Sequence, residues 1–156
     1  MLSYAPMSED AENLRQLIHT FIRRFGLLDQ AQTPCGMPLP VSHAHALMEV
    51  LHAPGLTQNE LAARLGLSKS NVSRLVASLV AAGSAQRQRD GKDGRAYRIV
   101  LTPKGRRTAE ELDQRSLTRF GDLLARVPMS RRGSITRALA LLAEAVERVP
   151  RERSNP

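Results

Sequence analysis

Residues 57–83 read TQNELAARLGLSKSNVSRLVASLVAAG, and this stretch decides the fold. Thr57 followed three residues later by Glu60 is a capping box: the threonine hydroxyl takes one of the first helical amides, and the glutamate reaches back to the cap. A helix therefore starts after Thr57, runs to about Leu65 and stops at Gly66, which enters a left-handed turn at no steric cost. Ser68 caps a second helix immediately. Val72, Leu75, Val76, Leu79 and Val80 recur at the helical period as its buried face, and Gly83 is its exit. Two capped helices joined by three residues, with the small Ala62 where they cross, make a helix-turn-helix.

With the core side of the second helix fixed, its other side carries Ser68, Lys69, Ser70, Asn71, Ser73 and Arg74. Short hydrogen-bonding groups and cations near a helix N-terminus are what entry into a DNA major groove demands. After Gly83 the period changes. Residues 84–89, the turn DGKDG at 90–94 and residues 95–101 read as strand, turn, strand, with Tyr97, Ile99 and Leu101 alternating against Arg98 and Val100. This ribbon carries Arg87, Arg89, Lys92, Arg95 and Arg98, placed where a wing reaches the DNA backbone and minor groove. The expectation is a mainly α fold: a winged helix-turn-helix with a small three-stranded sheet, flanked by long N- and C-terminal helices.

The charge follows the same map. The chain has 23 Lys and Arg against 15 Asp and Glu in 156 residues, a net +8. Residues 64–107 alone hold 11 cations and 2 acids, net +9, whereas residues 1–63 are at −3 and residues 108–156 at +2. Such a concentration is the footprint of a polyanion-binding module, although a solvated basic face looks the same by charge alone. Two Tyr, three Phe and no Trp leave little to stack bases on, which argues against single-strand or RNA platforms. One Cys excludes a disulfide framework and a CxxC motif, and no apolar run is long enough to span a bilayer, so a soluble cytoplasmic protein with no membrane partner is expected.

Outside the helix-turn-helix, residues 8 to 28 carry one apolar stripe, Leu14, Leu17, Ile18, Phe21, Ile22, Phe25 and Leu28, with Ser8 as the cap. The segment TPCGMPLP breaks this helix. Ser42 then caps a short helix with Ala44, Leu47, Met48 and Leu51 on one side. Thr102-Pro103 opens a helix to about Val127, and Ser130 opens a last one with Ile135, Leu139, Leu142 and Val146 aligned; residues 150–156 are polar. Three divisions follow: residues 1–41, an N-terminal dimerisation helix and connector; 42–102, the winged helix-turn-helix; and 103–156, the C-terminal dimerisation helices. The outer stripes need apolar cover. Leu14, Leu17, Ile18 and Phe21 with Ile135, Leu139, Leu142 and Val146 are the expected homodimer contacts, packing within one chain being the alternative.

Residues 56–107, with the wing pattern Asp93-x-Arg95, Leu101-Thr102 and Gly105, resemble the MarR family of bacterial transcription regulators. The resemblance implies that Arg95 enters the minor groove with Asp93 orienting it, and that the outer helices interleave across a twofold axis. Such a dimer reads an inverted repeat with half-sites about one helical turn apart. The chain departs from the family at Ser84-Ala85, where larger apolar residues usually open the first wing strand. The resemblance also implies a small aromatic or anionic effector, bound in a cleft between the dimerisation helices and the DNA-binding domain. Phe21, Arg24, Phe25 and Met48 are its candidates, with His19 at the edge of the first stripe.

The function expected is therefore a sequence-specific regulator of double-stranded DNA, a homodimeric repressor because a compact dimer without an activation domain most simply blocks polymerase, released by an effector. The alternatives are a winged helix used for protein docking or RNA contact, and a metal- or redox-sensing variant of the regulator. His45, Glu49 and His52 at i, i+4, i+7 could meet a metal from one side, with Cys35 or His43 completing it, but three polar residues edging an apolar stripe are more often a solvated border. Cys35, in the Pro-rich connector, is the only thiol. No cofactor is expected, and an enzyme is disfavoured because the chain has no phosphate-binding Gly loop, nucleophile elbow or complete metal motif.

Overall fold

In a computed structural model, which describes residues 9–92 and 94–150, the elements run α1 (Glu9–Phe25), α2 (Val41–His52), β1 (Leu56–Thr57), α3 (Gln58–Leu65), α4 (Lys69–Ala81), β2 (Ala85–Arg89), β3 (Tyr97–Leu101), α5 (Pro103–Ala125) and α6 (Met129–Arg148). The capping box is formed as the sequence predicts. Thr57 Oγ1 accepts the Glu60 amide at 3.2 Å, and Glu60 Oε2 accepts the Thr57 amide at 2.7 Å. Gly66 closes α3 in the left-handed region, with φ 62 and ψ 34. Ser68 caps α4 by accepting the Asn71 amide at 3.2 Å.

Other helix ends differ from the sequence reading for local reasons. α1 stops at Phe25 because Gly26 turns to φ 90, three residues before the expected end. α2 starts at Val41 after an extended Pro40, which offers no side-chain cap, so Ser42 lies inside the first turn and is not the cap. α6 likewise follows Pro128 and not Ser130. The proposed cap Ser8 and the tail 151–156 lie outside the described residues.

The sheet has the order β1-β3-β2, antiparallel throughout. β3 is its centre: Ile99 stands opposite Leu56 on one side and Arg87 on the other, and is 1% exposed. Ile99 joins Ala46, Leu47, Val50, Leu61, Val72, Val76, Leu79 and Leu112 in a single core, so the sheet, α2, α3, α4 and the first half of α5 share one buried centre. That core holds α4 in place, because full burial of Val72 and Val76 leaves the helix only one rotational setting.

Ser84 and Ala85 are buried at the start of β2. The first turn of α5 lies against the Ser84 backbone, where a Cβ on Gly105 would overlap the Ser84 carbonyl oxygen. The same carbonyl accepts the Thr102 amide at 3.1 Å. Thr102 Oγ1 donates to the Gly83 carbonyl at 2.6 Å and accepts the Gly105 amide at 3.0 Å, while Lys104 Nζ donates to the Ala82 carbonyl at 2.7 Å. The end of α4, the start of β2 and the start of α5 are therefore tied at one junction.

The described residues fall into two units, one ending at Ser116 and one beginning at Leu117. In the first, α1 has no buried residue, and Leu14, Leu17, Ile18 and Phe21 are exposed. In the second, α6 has none either; Ile135, Leu139 and Val146 are exposed and Leu142 is half-buried. The sequence reading missed Leu117, Phe120 and Leu123 of α5, which are exposed as well.

Candidate nucleic-acid interface

α4 turns Val72, Leu75, Val76 and Leu79 inward and leaves Lys69, Ser70, Asn71, Ser73 and Arg74 exposed. Every residue expected to read bases is therefore on the open side of the helix. Ser68 is committed elsewhere: its hydroxyl serves as the cap and lies 3.2 Å from the Ser70 hydroxyl. Arg74 is pre-oriented, since its Nη2 donates to Asn71 Oδ1 at 2.7 Å, one helical turn away. A guanidinium held by an amide loses less rotamer freedom on engaging a base edge than a free one does.

A concavity lies along this helix that the sequence reading did not anticipate. It is lined by Asn71, Arg74 and Ser78 of α4 and by Ser42 and His43 from the first turn of α2, over Leu67 and Leu75. His43 Nε2 is 2.9 Å from Ser78 Oγ. Burial holds the His43 pKa below the ordinary histidine value, which favours the neutral ring, and one hydrogen bond joins that ring to the hydroxyl. His43 thus braces α4 instead of completing a metal set.

On the wing, Arg87 and Arg89 of β2 and Lys92 and Arg95 of the turn are all exposed. Asp93 lies outside the described residues. Arg87 lines a second concavity with Gln58 and Asn59 at the start of α3, and with Ala96 and Tyr97 at the start of β3. A cation on the wing side of this groove and two side-chain amides on the α3 side suit a polyanion backbone running between α3 and the wing. Glu60 sits close by as an anion. The Thr57 amide and hydroxyl keep its pKa below the usual carboxylate range, with Arg98 and Arg64 adding to the effect, so its charge is consumed by the cap.

Arg98 departs from the ribbon reading. It is half-buried and bonded within the chain, to the Gly55 carbonyl and to Asp90. The metal candidates also separate: Glu49 Oε2 accepts from Arg64 at 3.1 Å, His52 faces Asp113 at 3.4 Å, and His45 is exposed. Among the described residues no group of three His, Cys, Asp or Glu comes close enough to hold a metal. Cys35 is half-buried in a tight turn, its Sγ 3.1 Å from the Thr33 hydroxyl. The effector candidates have three different settings: His19 is exposed, Phe25 stacks on Phe21 with centroids 5.2 Å apart, and Met48 packs against the core. No helix among the described residues is long and apolar enough to cross a membrane.

The sequence model of the MarR family matches residues 36–96, which run from the connector before α2 to the wing turn. A stretch of 67 residues is 40% identical to the transcriptional regulator AdcR of Streptococcus pneumoniae serotype 2 (strain D39), covering 43% of this chain and 45% of that one. The chain thus matches a little under half the length of that relative. Over the fold, it is similar to a MarR transcriptional regulator from Methanosarcina mazei Go1, with a TM-score of 0.70 at 23% identity, covering 89% of this chain and 99% of the other. It is also similar to the transcriptional repressor CouR bound to a 23-mer DNA duplex, with a TM-score of 0.66 at 24% identity, covering 86% and 92%.

Proposed function

We propose, from the match of residues 36–96 to the sequence model of the MarR family, that this protein is a homodimeric transcription regulator of that family that reads an inverted repeat in double-stranded DNA. The observation that carries this reading is α4 itself: its core side is locked by buried Val72 and Val76, and its open side presents Asn71 and a pre-oriented Arg74 beside a basic wing. The recognition helix enters the major groove, Lys69, Ser70 and Ser73 support it, and Arg87, Arg89, Lys92 and Arg95 of the wing hold the backbone and minor groove.

Dimerisation is supported by apolar faces that neither unit covers by itself: Leu14, Leu17, Ile18 and Phe21 in the first, and Ile135, Leu139, Leu142 and Val146 in the second. Patches of this kind on a small soluble chain mark interaction surfaces. The dimer is a repressor, occupying its site until a small aromatic or anionic effector near His19, Phe25 and Met48 releases it; the DNA-bound repressor of similar fold supports the first half of that statement.

One experiment tests assembly and target class together. Sedimentation of the protein alone is expected to give twice the 17.2 kDa chain mass, and addition of a cognate duplex is expected to give two chains per duplex. An RNA duplex of the same sequence should not sediment with the protein at about 150 mM salt, where purely electrostatic binding is weakened. A monomer, or equal retention of RNA, contradicts the proposal.

A further inference from the structure

Arg87 of the wing lines the groove beside α3, and Arg98 does not. Arg98 stands in register between Thr57 and Gln88, whereas Ile99 stands between Leu56 and Arg87. Side chains alternate along a strand and directly opposed residues share a face, so Arg98 is on the sheet face opposite Arg87. Both arms of its guanidinium are used. Nη1 donates to the Gly55 carbonyl at 2.8 Å, and Nη2 donates to Asp90 Oδ2 at 2.8 Å. The Asp90 side chain is only 15% exposed. Its other oxygen accepts the Lys92 amide at 3.1 Å, and its own amide donates to the Ala96 carbonyl at 2.9 Å. One side chain thus joins the loop before β1 to the residue that opens the wing turn, and through it to both ends of that turn.

We propose that Arg98 is a positioning residue for the wing: the Gly55–Arg98–Asp90 clamp fixes the height and tilt at which Lys92 and Arg95 meet DNA. This rests on the DNA-binding reading above. The physical need is plain, because a two-stranded ribbon is barely stable by itself. A side chain added at Gly91 or Gly94 would meet nothing within 4 Å, so the turn has no packing there to hold it. Its geometry must be set from its base. The planar fork of arginine reaches a carbonyl and a carboxylate in fixed directions at once, which a lysine cannot reproduce. The ionised state of Asp90 is secured by the Lys92 amide first and by Arg98 second, both of which hold its pKa below the usual range.

The test has two arms. In the free protein, Arg98→Ala and Arg98→Lys are expected to speed amide exchange at Asp90 and Lys92 about tenfold, equivalent to losing one charge-assisted bond, with Val72 and Val76 unchanged. On a cognate duplex, Arg98→Ala is expected to weaken binding about tenfold in the wild-type background and to add nothing in a Lys92→Ala/Arg95→Ala background, where the tip has no cations left to misplace. Asp90→Asn is expected to behave like Arg98→Ala. Unchanged wing exchange overturns the clamp. An equal affinity loss in both backgrounds, or Asp90→Asn binding as tightly as wild type, overturns the positioning role and makes Arg98 a structural or direct contact. Failure of the wild type to hold any duplex contradicts the DNA reading, while the exchange arm still decides whether the clamp exists.

Discussion

Replacing Gly105 by Ala is expected to lower the melting temperature by about 6–12 °C, corresponding to a loss of about 3 kcal/mol. The sign is what makes the result informative. In an ordinary helix the same change stabilises by about 1 kcal/mol, because glycine gives up the most backbone freedom on folding. At Gly105 the added carbon would overlap the Ser84 carbonyl oxygen and stand 2.7 Å from its carbon and 3.0 Å from the Ser84 Cα. These neighbours are backbone, so no rotamer change relieves the clash. The Ser84 carbonyl cannot retreat without losing the Thr102 amide, and the Thr102 and Lys104 bonds to Gly83 and Ala82 would stretch with it. A thermal melt followed by circular dichroism checks the expectation; a variant melting at or above the wild type contradicts the close approach of α5 to β2.

The second large effect concerns what each cation reads. Arg74→Ala or Asn71→Ala is expected to cost about 1–3 kcal/mol on the cognate duplex and to relax the preference at one base pair, while Arg87→Ala weakens all sequences alike and reduces the salt slope by about one. The 2.7 Å bond between Arg74 and Asn71 adds a finer expectation. Removing Asn71 also frees Arg74 to wander, so the two losses overlap and the double substitution costs less than their sum. Titrations of cognate and scrambled duplexes at several salt concentrations separate the cases. Equal, sequence-blind losses from all three residues contradict the assignment of α4 as the recognition helix.

What the sequence made legible were features held by neighbours in the chain. The Thr57–Glu60 box, the Ser68 cap and Gly66 depend on bonds spanning four residues or fewer, and the buried side of α4 declares itself by period alone. β1 was harder to see as a strand, because two residues have no period and Leu56–Thr57 is extended only through pairing with Arg98 and Ile99. Ser42 looked like a cap because its residue type favours one, yet Pro40, with its fixed extended backbone, opens the helix earlier. The same limit applies at the candidate site. His43 and Ser78 are 35 residues apart, and Arg98 and Gly55 are 43 apart, so nothing local distinguishes a brace from a metal candidate, or a clamp from a DNA contact. Counting charge marked residues 64–107 as the basic segment but could not say which cations face outward.

The central claim is that two copies of α4 and its wing read a symmetric duplex. Its most direct test is selection of bound duplexes by the purified protein from a random DNA pool at about 150 mM salt. Enrichment of an inverted repeat whose half-sites lie about 10 base pairs apart, centre to centre, is the expected result. Recovery of no sequence above background, or of a single half-site without its mate, would contradict it.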